Sequence, residues 1–375
     1  MSKFLISCGG TGGHLSPGIS LAEGLTARGH ETVLFVSRKK VDARQLEKYP
    51  HLRFERMPGT GFALRPGVLL RCAVSQTQAV IFCLRQLRRM RPDCVVGFGG
   101  FTSAPVVLAA RLLRVPVALH ESNRVPGRAI RTLGRFAQRV YLPPGIRIAS
   151  IGTAATRHVG MPVRRDIVRH PQEEARTALG FDPRQRLLVI LGGSQGASAL
   201  NDWARQELPF FASEEIQVCC VTGLDKGREE IVELTSKSGR PVRMRFIAFT
   251  DRMAELMSAS DLVVSRAGAG TLAELIRCVT PAVLVPYPLA ADDHQRANAE
   301  HFEQGGGGIV VAQPRLAQLR AATHDLISND WLLRKFRGNL QRMDHANLLE
   351  LMLRDLEEIS ATAHRRLGRG QPSAA

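Results

Sequence analysis

No apolar run in the 375 residues is long enough to cross a bilayer, and the opening residues 1–8 stop at glycines well short of a signal-peptide core. The chain is therefore expected to stay in the cytoplasm. Aromatic residues are scarce, at 5%. Without an RRM, KH or zinc-finger pattern, that scarcity argues against nucleic acid as the partner, because such readers stack bases on exposed rings. The seven cysteines form an odd set with no CxxC spacing and no histidine at zinc-finger distance. They read as reduced, buried small residues rather than as a disulfide framework or a zinc site. Acidic residues are in deficit too, 34 against 51 Lys and Arg, which leaves a formal charge of +17. A surplus of that size favours an anionic partner such as phospholipid headgroups or a phosphorylated substrate.

What is present is a globular composition, 44% hydrophobic and 23% charged, at a length that suits two domains. Short apolar runs alternate with longer helical patterns from end to end, the mark of βα units and parallel sheets. Strands are expected at 4–8, 32–36, 94–97, 115–119 and 139–142, then at 187–191, 217–221, 243–247, 262–265 and 282–286. Between the two sets lie Pro143-Pro144-Gly145 and Gly160-Met161-Pro162, a turn-rich linker that puts a boundary near residue 160. The expected division is 1–160 and 161–343, with a C-terminal helix over 344–361 returning to the first domain and 362–375 a disordered tail.

Both halves open on a strand, a glycine-rich turn and a helix: Gly9-Gly10-Thr11-Gly12-Gly13-His14 before a helix near Pro17, and Gly192-Gly193-Ser194-Gln195-Gly196-Ala197. Such turns offer backbone N–H groups and a helix dipole to a phosphate, although tight strand-to-helix geometry alone also calls for glycine. The spacing is neither GxGxxG nor GxxxxGK[ST], so dinucleotide and P-loop readings lose their support. His14, directly after the glycines, is poorly placed as a core residue and well placed as a base near neutral pH. Ser194 suits either a helix cap or a phosphate donor. In Ser265-Arg266-Ala267-Gly268-Ala269-Gly270-Thr271-Leu272-Ala273-Glu274, Glu274 fits a carboxylate favoured by the helix dipole or a bidentate grip on a ribose diol. Gln295 and Asn298 share a helical face, and Asp292 and Asp293 read as that helix's N-cap and first turn. The Asp pair lacks a third ligand, so no metal is expected. In His120-Glu121-Ser122-Asn123, Glu121 and Asn123 are expected at a cleft edge.

Six stretches taken together, GGTGGH at 9–14, VGFGGFTSAP at 96–105, HESN at 120–123, GGSQGA at 192–197, SRAGAGTLAEL at 265–275 and PAVLVPYPLAADDHQRANA at 281–299, resemble the MurG family of GT-B glycosyltransferases, family 28, over roughly residues 3–345. The resemblance implies an α/β fold of two facing Rossmann-like, doubly wound domains with a cleft between them. It implies inverting transfer of N-acetylglucosamine from UDP-N-acetylglucosamine to the C4 hydroxyl of undecaprenyl-linked N-acetylmuramyl-pentapeptide, at the cytoplasmic face of the inner membrane and without a cofactor. By the same resemblance His14 and Asn123 are catalytic. Thr11, Gly12, Gly13, Asn123, Arg164, Ser194, Thr271, Glu274, Gln295 and Asn298 hold the UDP-sugar. Partners would be the donor, the lipid-linked acceptor, an anionic membrane surface and proteins of cell-wall synthesis. Another GT-B transferase acting on a lipid acceptor, and a UDP-N-acetylglucosamine epimerase, share most of these turns and stand as alternatives. One departure is Met161, where the family has asparagine in Gly-Asn-Pro-Val-Arg. The segment 66–91 mixes more apolar residues than one core stripe needs with Arg71, Arg85, Arg88, Arg89 and Arg91, which suits either a core helix with a basic rim or a helix docking on an anionic leaflet.

Overall fold

The structure, a computed structural model, describes residues 1–9, 12–37, 46–58, 66–193, 197–224, 226, 229–344 and 349–366, with the backbone alone at 12, 66–71 and 366. It divides into two compact units, Met1–Arg164 with Ala346–Ala375, and Arg165–His345. The division follows Arg164, four residues beyond the boundary near 160 read from the sequence, so that residue goes with the first unit.

In the first unit the elements run β1 (Lys3–Ser7), α1 (Gly12–Ala27), β2 (Glu31–Val36), β3 (Arg53–Arg56), α2 (Pro66–Met90), β4 (Cys94–Gly97), α3 (Gly100–Leu112), β5 (Val117–His120), α4 (Arg128–Leu133), β6 (Arg139–Leu142) and β7 (Thr156–His158). Among the described residues the strands form one parallel sheet in the order β3-β2-β1-β4-β5-β6-β7. The central strands are buried on both faces, so Phe4, Leu5, Ile6, Val95 and Val96 form continuous apolar runs. The C-terminal helix, Leu349–Arg366, adds Met352, Leu353 and Leu356 to the core on one face of this sheet. It crosses α1 at Gly24, where an added Cβ would come within 3.0 Å of the Leu353 side chain. Asp355 on this helix is buried and accepts from Arg139 Nε at 2.7 Å and from the Tyr141 hydroxyl at 2.7 Å. The tail expected from residue 362 onward is helical to Arg366. Its helix is extended by the buried Ala363 and by His364, whose Nε2 lies 2.7 Å from Asp93.

The second unit runs α5 (Gln172–Ala178), β8 (Arg186–Leu191), α6 (Ser198–Ser213), β9 (Ile216–Val221), β10 (Glu230–Thr235), β11 (Pro241–Ile247), α7 (Met253–Ala259), β12 (Leu262–Ser265), α8 (Ala269–Cys278), β13 (Ala282–Leu284), α9 (His294–Gln304), β14 (Gly308–Val310), α10 (Leu319–Ile327) and α11 (Asp330–Met343). Its strand order is β10-β11-β9-β8-β12-β13-β14, parallel apart from the antiparallel pairing of β10 with β11. At the end of the sheet where β8 and β12 begin, Arg176 and Asp261 form a buried pair at 2.6 Å. Every other group of the pair is engaged: Arg176 donates to the carbonyls of Ala259, Pro183 and Gln185, while Asp261 accepts from Leu187 N–H and from Gln172. All seven cysteines are buried, and burial pushes Cys83, Cys94, Cys219, Cys220 and Cys278 up to about 12. Among the described residues no helix is long and apolar enough to cross a membrane.

Candidate active site

In each sheet the connections reverse direction between two neighbouring strands, β1 and β4 in the first unit and β8 and β12 in the second. Ligands of doubly wound sheets bind beyond the carboxyl ends of strands at that reversal. In the first unit the turns after β1 and β4 are joined there. Phe98 N–H donates to the Ser7 carbonyl at 2.9 Å and the Thr102 hydroxyl to the Gly9 carbonyl at 2.9 Å. At Gly9 a Cβ would sit 2.3 Å from the Ser37 backbone nitrogen, so only glycine lets the chain leave β1 against β2.

The helix after this turn starts earlier than the sequence reading placed it: α1 begins at Gly12 and carries Pro17 inside it. Gly12, Gly13 and His14 are thus its first turn, where N–H groups lack helical acceptors and the dipole is positive. His14 is half-buried. Its ring lies against Gly99 and Gly100, at φ +88° and +71°, a left-handed pair that glycine adopts without strain. A Cβ on Gly100 would be 3.1 Å from His14 Nδ1. Thr11 lies outside the described residues.

His120, at the end of β5, carried no role in the sequence reading beyond its place in HESN. It is fully buried, with its ring 5.1 Å from that of Phe98. Nε2–H donates to the Gly160 carbonyl at 3.4 Å and Nδ1 accepts from the Ser122 hydroxyl at 3.4 Å. Burial lowers its pKa to about 4, opposed by the Gly160 carbonyl and assisted by the nearby His14, so it is neutral at physiological pH. Glu121 is corrected from a cleft-edge position. It is buried, and its carboxylate organises its own loop, accepting from the backbone N–H and amide of Asn123 at 2.8 and 3.1 Å and from Gly127 N–H at 2.7 Å. Asn123 is therefore held in one orientation beside α4. Arg164 Nη1 donates to the Tyr49 hydroxyl at 3.0 Å, a partner that nothing in the sequence pattern signals. Met161 is packed into the first unit, and the next carbonyl but one, that of Val163, accepts from the Ser20 hydroxyl at 2.8 Å.

In the second unit the turns after β8 and β12 stand side by side. Gly193 takes φ +78°, while Ser194 lies outside the described residues. After β12, Gly268 opens α8, which presents Thr271 and Glu274 three residues apart on one face. Asn298 on α9 is only 4% exposed and donates from Nδ2 to the Ala267 carbonyl at 3.2 Å. Gln295 Oε1 accepts from Tyr287 N–H at 3.0 Å. These bonds hold Asn298 and Gln295 to the segments that leave the carboxyl ends of β12 and β13, while Thr271 and Glu274 lie on the helix that follows β12. Arg266, quoted in the sequence without a role, is buried beneath them. It donates to the carbonyls of Val285 and Pro286 at 3.0 and 3.4 Å and lies 5.5 Å from the Tyr287 ring; burial lowers its pKa. Asp293 occupies the N-cap position of α9, as expected of the pair, but makes no side-chain cap bond, and both aspartates precede the helix in left-handed φ, near +51° and +52°. The turn closes instead through His294 Nδ1, 2.7 Å from the Ala291 carbonyl.

Comparisons with known proteins agree with this architecture. Residues 4–142 match the model of the glycosyltransferase family 28 N-terminal domain and residues 187–349 that of the C-terminal domain. The chain is 63% identical, over 96% of both chains, to the UDP-N-acetylglucosamine--N-acetylmuramyl-(pentapeptide) pyrophosphoryl-undecaprenol N-acetylglucosamine transferase of Opitutus terrae. It is 37% identical to the transferase of the same name from Geotalea uraniireducens, over 84% of this chain and 86% of that one. Among solved structures, Acinetobacter baumannii MurG superposes with a TM-score of 0.70 at 24% identity, over 95% of this chain and 99% of that one. The Neisseria meningitidis UDP-GlcNAc 2-epimerase superposes at 0.63 with 12% identity, over 95% and 100%. Likeness at such identities speaks to fold alone. Two mostly parallel doubly wound sheets, both domain models and a relative matched almost end to end lead to one assignment: the chain belongs to glycosyltransferase family 28 and has the GT-B fold.

Proposed function

We propose that this chain transfers N-acetylglucosamine from UDP-N-acetylglucosamine to the C4 hydroxyl of lipid-linked N-acetylmuramyl-pentapeptide, lipid I, giving lipid II in peptidoglycan synthesis. The observation that carries the reading is the 63% identity across 96% of the chain to a transferase of that name. The acceptor oxygen attacks the anomeric carbon from the face opposite the diphosphate and loses its proton to His14. The bond from the anomeric carbon to the phosphate oxygen breaks, and UDP leaves with the electron pair. One base suffices for inversion by a hydroxyl nucleophile. The leaving charge falls on helix N-termini and the glycine turns with Ser194 and Arg164. Asn123, held by Glu121, orients the acceptor, Glu274 grips the ribose, and Gln295 and Asn298 read the sugar hydroxyls. Incubation with labelled donor and a lipid I analogue, followed by product identification, tests the assignment. Transfer to diacylglycerol instead, or epimerisation of the donor alone, would overturn it.

Glu274→Ala is expected to raise the donor KM by about 10- to 100-fold, the worth of one or two charge-assisted hydrogen bonds beside solvent. Steady-state kinetics with varied donor measures this, and an unchanged KM removes Glu274 from the site.

The acceptor's lipid calls for a membrane-facing surface, and the first unit supports one. On α2 the core stripe is Cys72, Ala79, Cys83, Leu87 and Met90, while Val74, Ile81, Arg85 and Arg88 face outward. On α3, which packs against α2, Leu108 and Leu112 are exposed, Leu112 to 68%. Beside it Arg111, Arg114 and Arg135 line a groove of about 450 Å³ with Phe136. Apolar side chains dipping into the headgroup layer, with basic residues adding about 1 kcal/mol each, suit peripheral binding to an anionic leaflet. Arg89 contributes less, since it pairs with Glu55 at 3.2 Å. Co-sedimentation with phosphatidylglycerol vesicles should rise with anionic lipid, fall with salt and drop in Arg85→Ser/Arg88→Ser/Arg111→Ser. Salt-insensitive binding would leave the acceptor as the sole tether.

A further inference from the structure

At the end of the second sheet away from the glycine turns, α11 carries a surface that the transferase reading does not use. Trp331 is 62% exposed, whereas the chain's other tryptophan, Trp203, is buried in the core. Lys335 Nζ stands 5.0 Å from the Trp331 ring centroid, and Arg334 is exposed one residue before it. Around them Arg186 pairs with Asp330 at 2.8 Å, and Arg337 Nη2 approaches Asp261 only to 3.8 Å and makes no hydrogen bond. Asp261 is shared between Arg176 and Arg337. Burial and the neighbouring Arg176, Arg169 and Arg186 outweigh Asp261 and hold the Arg337 guanidinium below its ordinary range. The exposed Trp331 ring thus carries Lys335 against it and shares its helix with the exposed Arg334, beside the Arg186–Asp330 pair.

Tryptophan and arginine are the residues that dominate the energetics of protein interfaces, and an aromatic anchor with a charged rim is their usual arrangement. We propose that this end of the second unit docks an acidic polypeptide segment of a partner protein, with Trp331 as the apolar anchor and the exposed Arg334 and Lys335 matching its carboxylates. A leaflet fits less well. The surface offers one exposed ring rather than the apolar patch that interfacial binding needs. The inference does not depend on the transferase reading.

The test uses the full chain and fluorescein-labelled poly-L-glutamate as the probe, followed by polarisation at low salt and by Trp331 emission. Binding should blue-shift the tryptophan emission, because Trp203 is already buried. Arg334→Ser/Lys335→Ser should weaken binding on the order of tenfold, Trp331→Ala should abolish the emission change, and kcat and KM should stay at their wild-type values in both. Arg85→Ser/Arg88→Ser, which removes the same charge elsewhere, should leave binding within a factor of about two, the size of a general charge effect under screening. Equal weakening in that control would mean that net charge alone binds the probe and would overturn the proposal. So would unchanged binding in Arg334→Ser/Lys335→Ser, or loss of phosphatidylglycerol-vesicle binding in that variant, which would assign the surface to a membrane.

Discussion

Replacing His14 with alanine lowers kcat by roughly 10²- to 10⁴-fold and leaves the donor KM near its starting value, the range for loss of a general base. The expectation rests on the surroundings of the ring. Its backbone is fixed in the first turn of α1, its imidazole is backed by Gly99 and Gly100, and no larger residue fits at Gly100 without meeting Nδ1. The second imidazole, His120, is kept neutral by burial, so a proton taken up by His14 in the transition state meets no fixed positive charge there. Steady-state and single-turnover kinetics decide the matter. A fall in donor affinity at constant kcat would make His14 a support for the phosphates, and near-normal values of both would remove it from the reaction.

Asp261→Ala should destabilise the second unit by about 3–5 kcal/mol and lower its Tm by roughly 6–20 °C. Among the described residues the carboxylate is the anion paired with the buried Arg176, and it also accepts from Leu187 N–H and Gln172. Alanine leaves a buried guanidinium uncompensated and Leu187 N–H without its acceptor, while Gln172 keeps the Ser260 carbonyl at 2.9 Å; that is the costly half of the asymmetry between making and breaking a buried pair. Asp261→Asn, which retains oxygen and shape, should lose less. Urea and thermal unfolding of the three proteins provide the comparison, and a loss below about 1 kcal/mol for alanine would show that the pair contributes little net stability.

The interior of each sheet was legible and its edges were not. Strands such as 94–97 and 262–265 coincide with the structure because helices cover both faces and force unbroken apolar runs. The four strands that pattern reading missed, β3, β7, β10 and β14, are the outer strands of the two sheets. Arg53–Arg56 has three charged residues of four, Thr156–His158 has no apolar residue, Glu230–Thr235 sets two glutamates three apart among apolar residues, and Gly308–Val310 follows three glycines. Edge strands carry such residues because one side of their ladder faces water or a loop. At the candidate site, the residues proposed to meet the ligand stand in local motifs, which is why the sequence offers them as candidates. Residues that hold those motifs in place could not: Tyr49 meets Arg164 across 115 positions, and His120 meets Gly160 across 40. Glu121 was misplaced for a related reason, since its partners are backbone N–H groups that any sequence would supply.

The helix Leu349–Arg366 has a consequence for synthesis. The first sheet is complete in sequence at His158, yet Met352, Leu353 and Leu356, which seal one of its faces, follow after the whole second unit. At about 5–20 residues per second, a ribosome needs roughly 10 to 40 s to cover that distance. Residues 165–345 are continuous and can close their core as they emerge, so the half of the chain made second is the half that can finish folding first. Until the last helix arrives, the nascent first unit keeps an apolar groove along α1 and leaves Arg139 and Tyr141 without Asp355, and this interval is when a chaperone has most to bind.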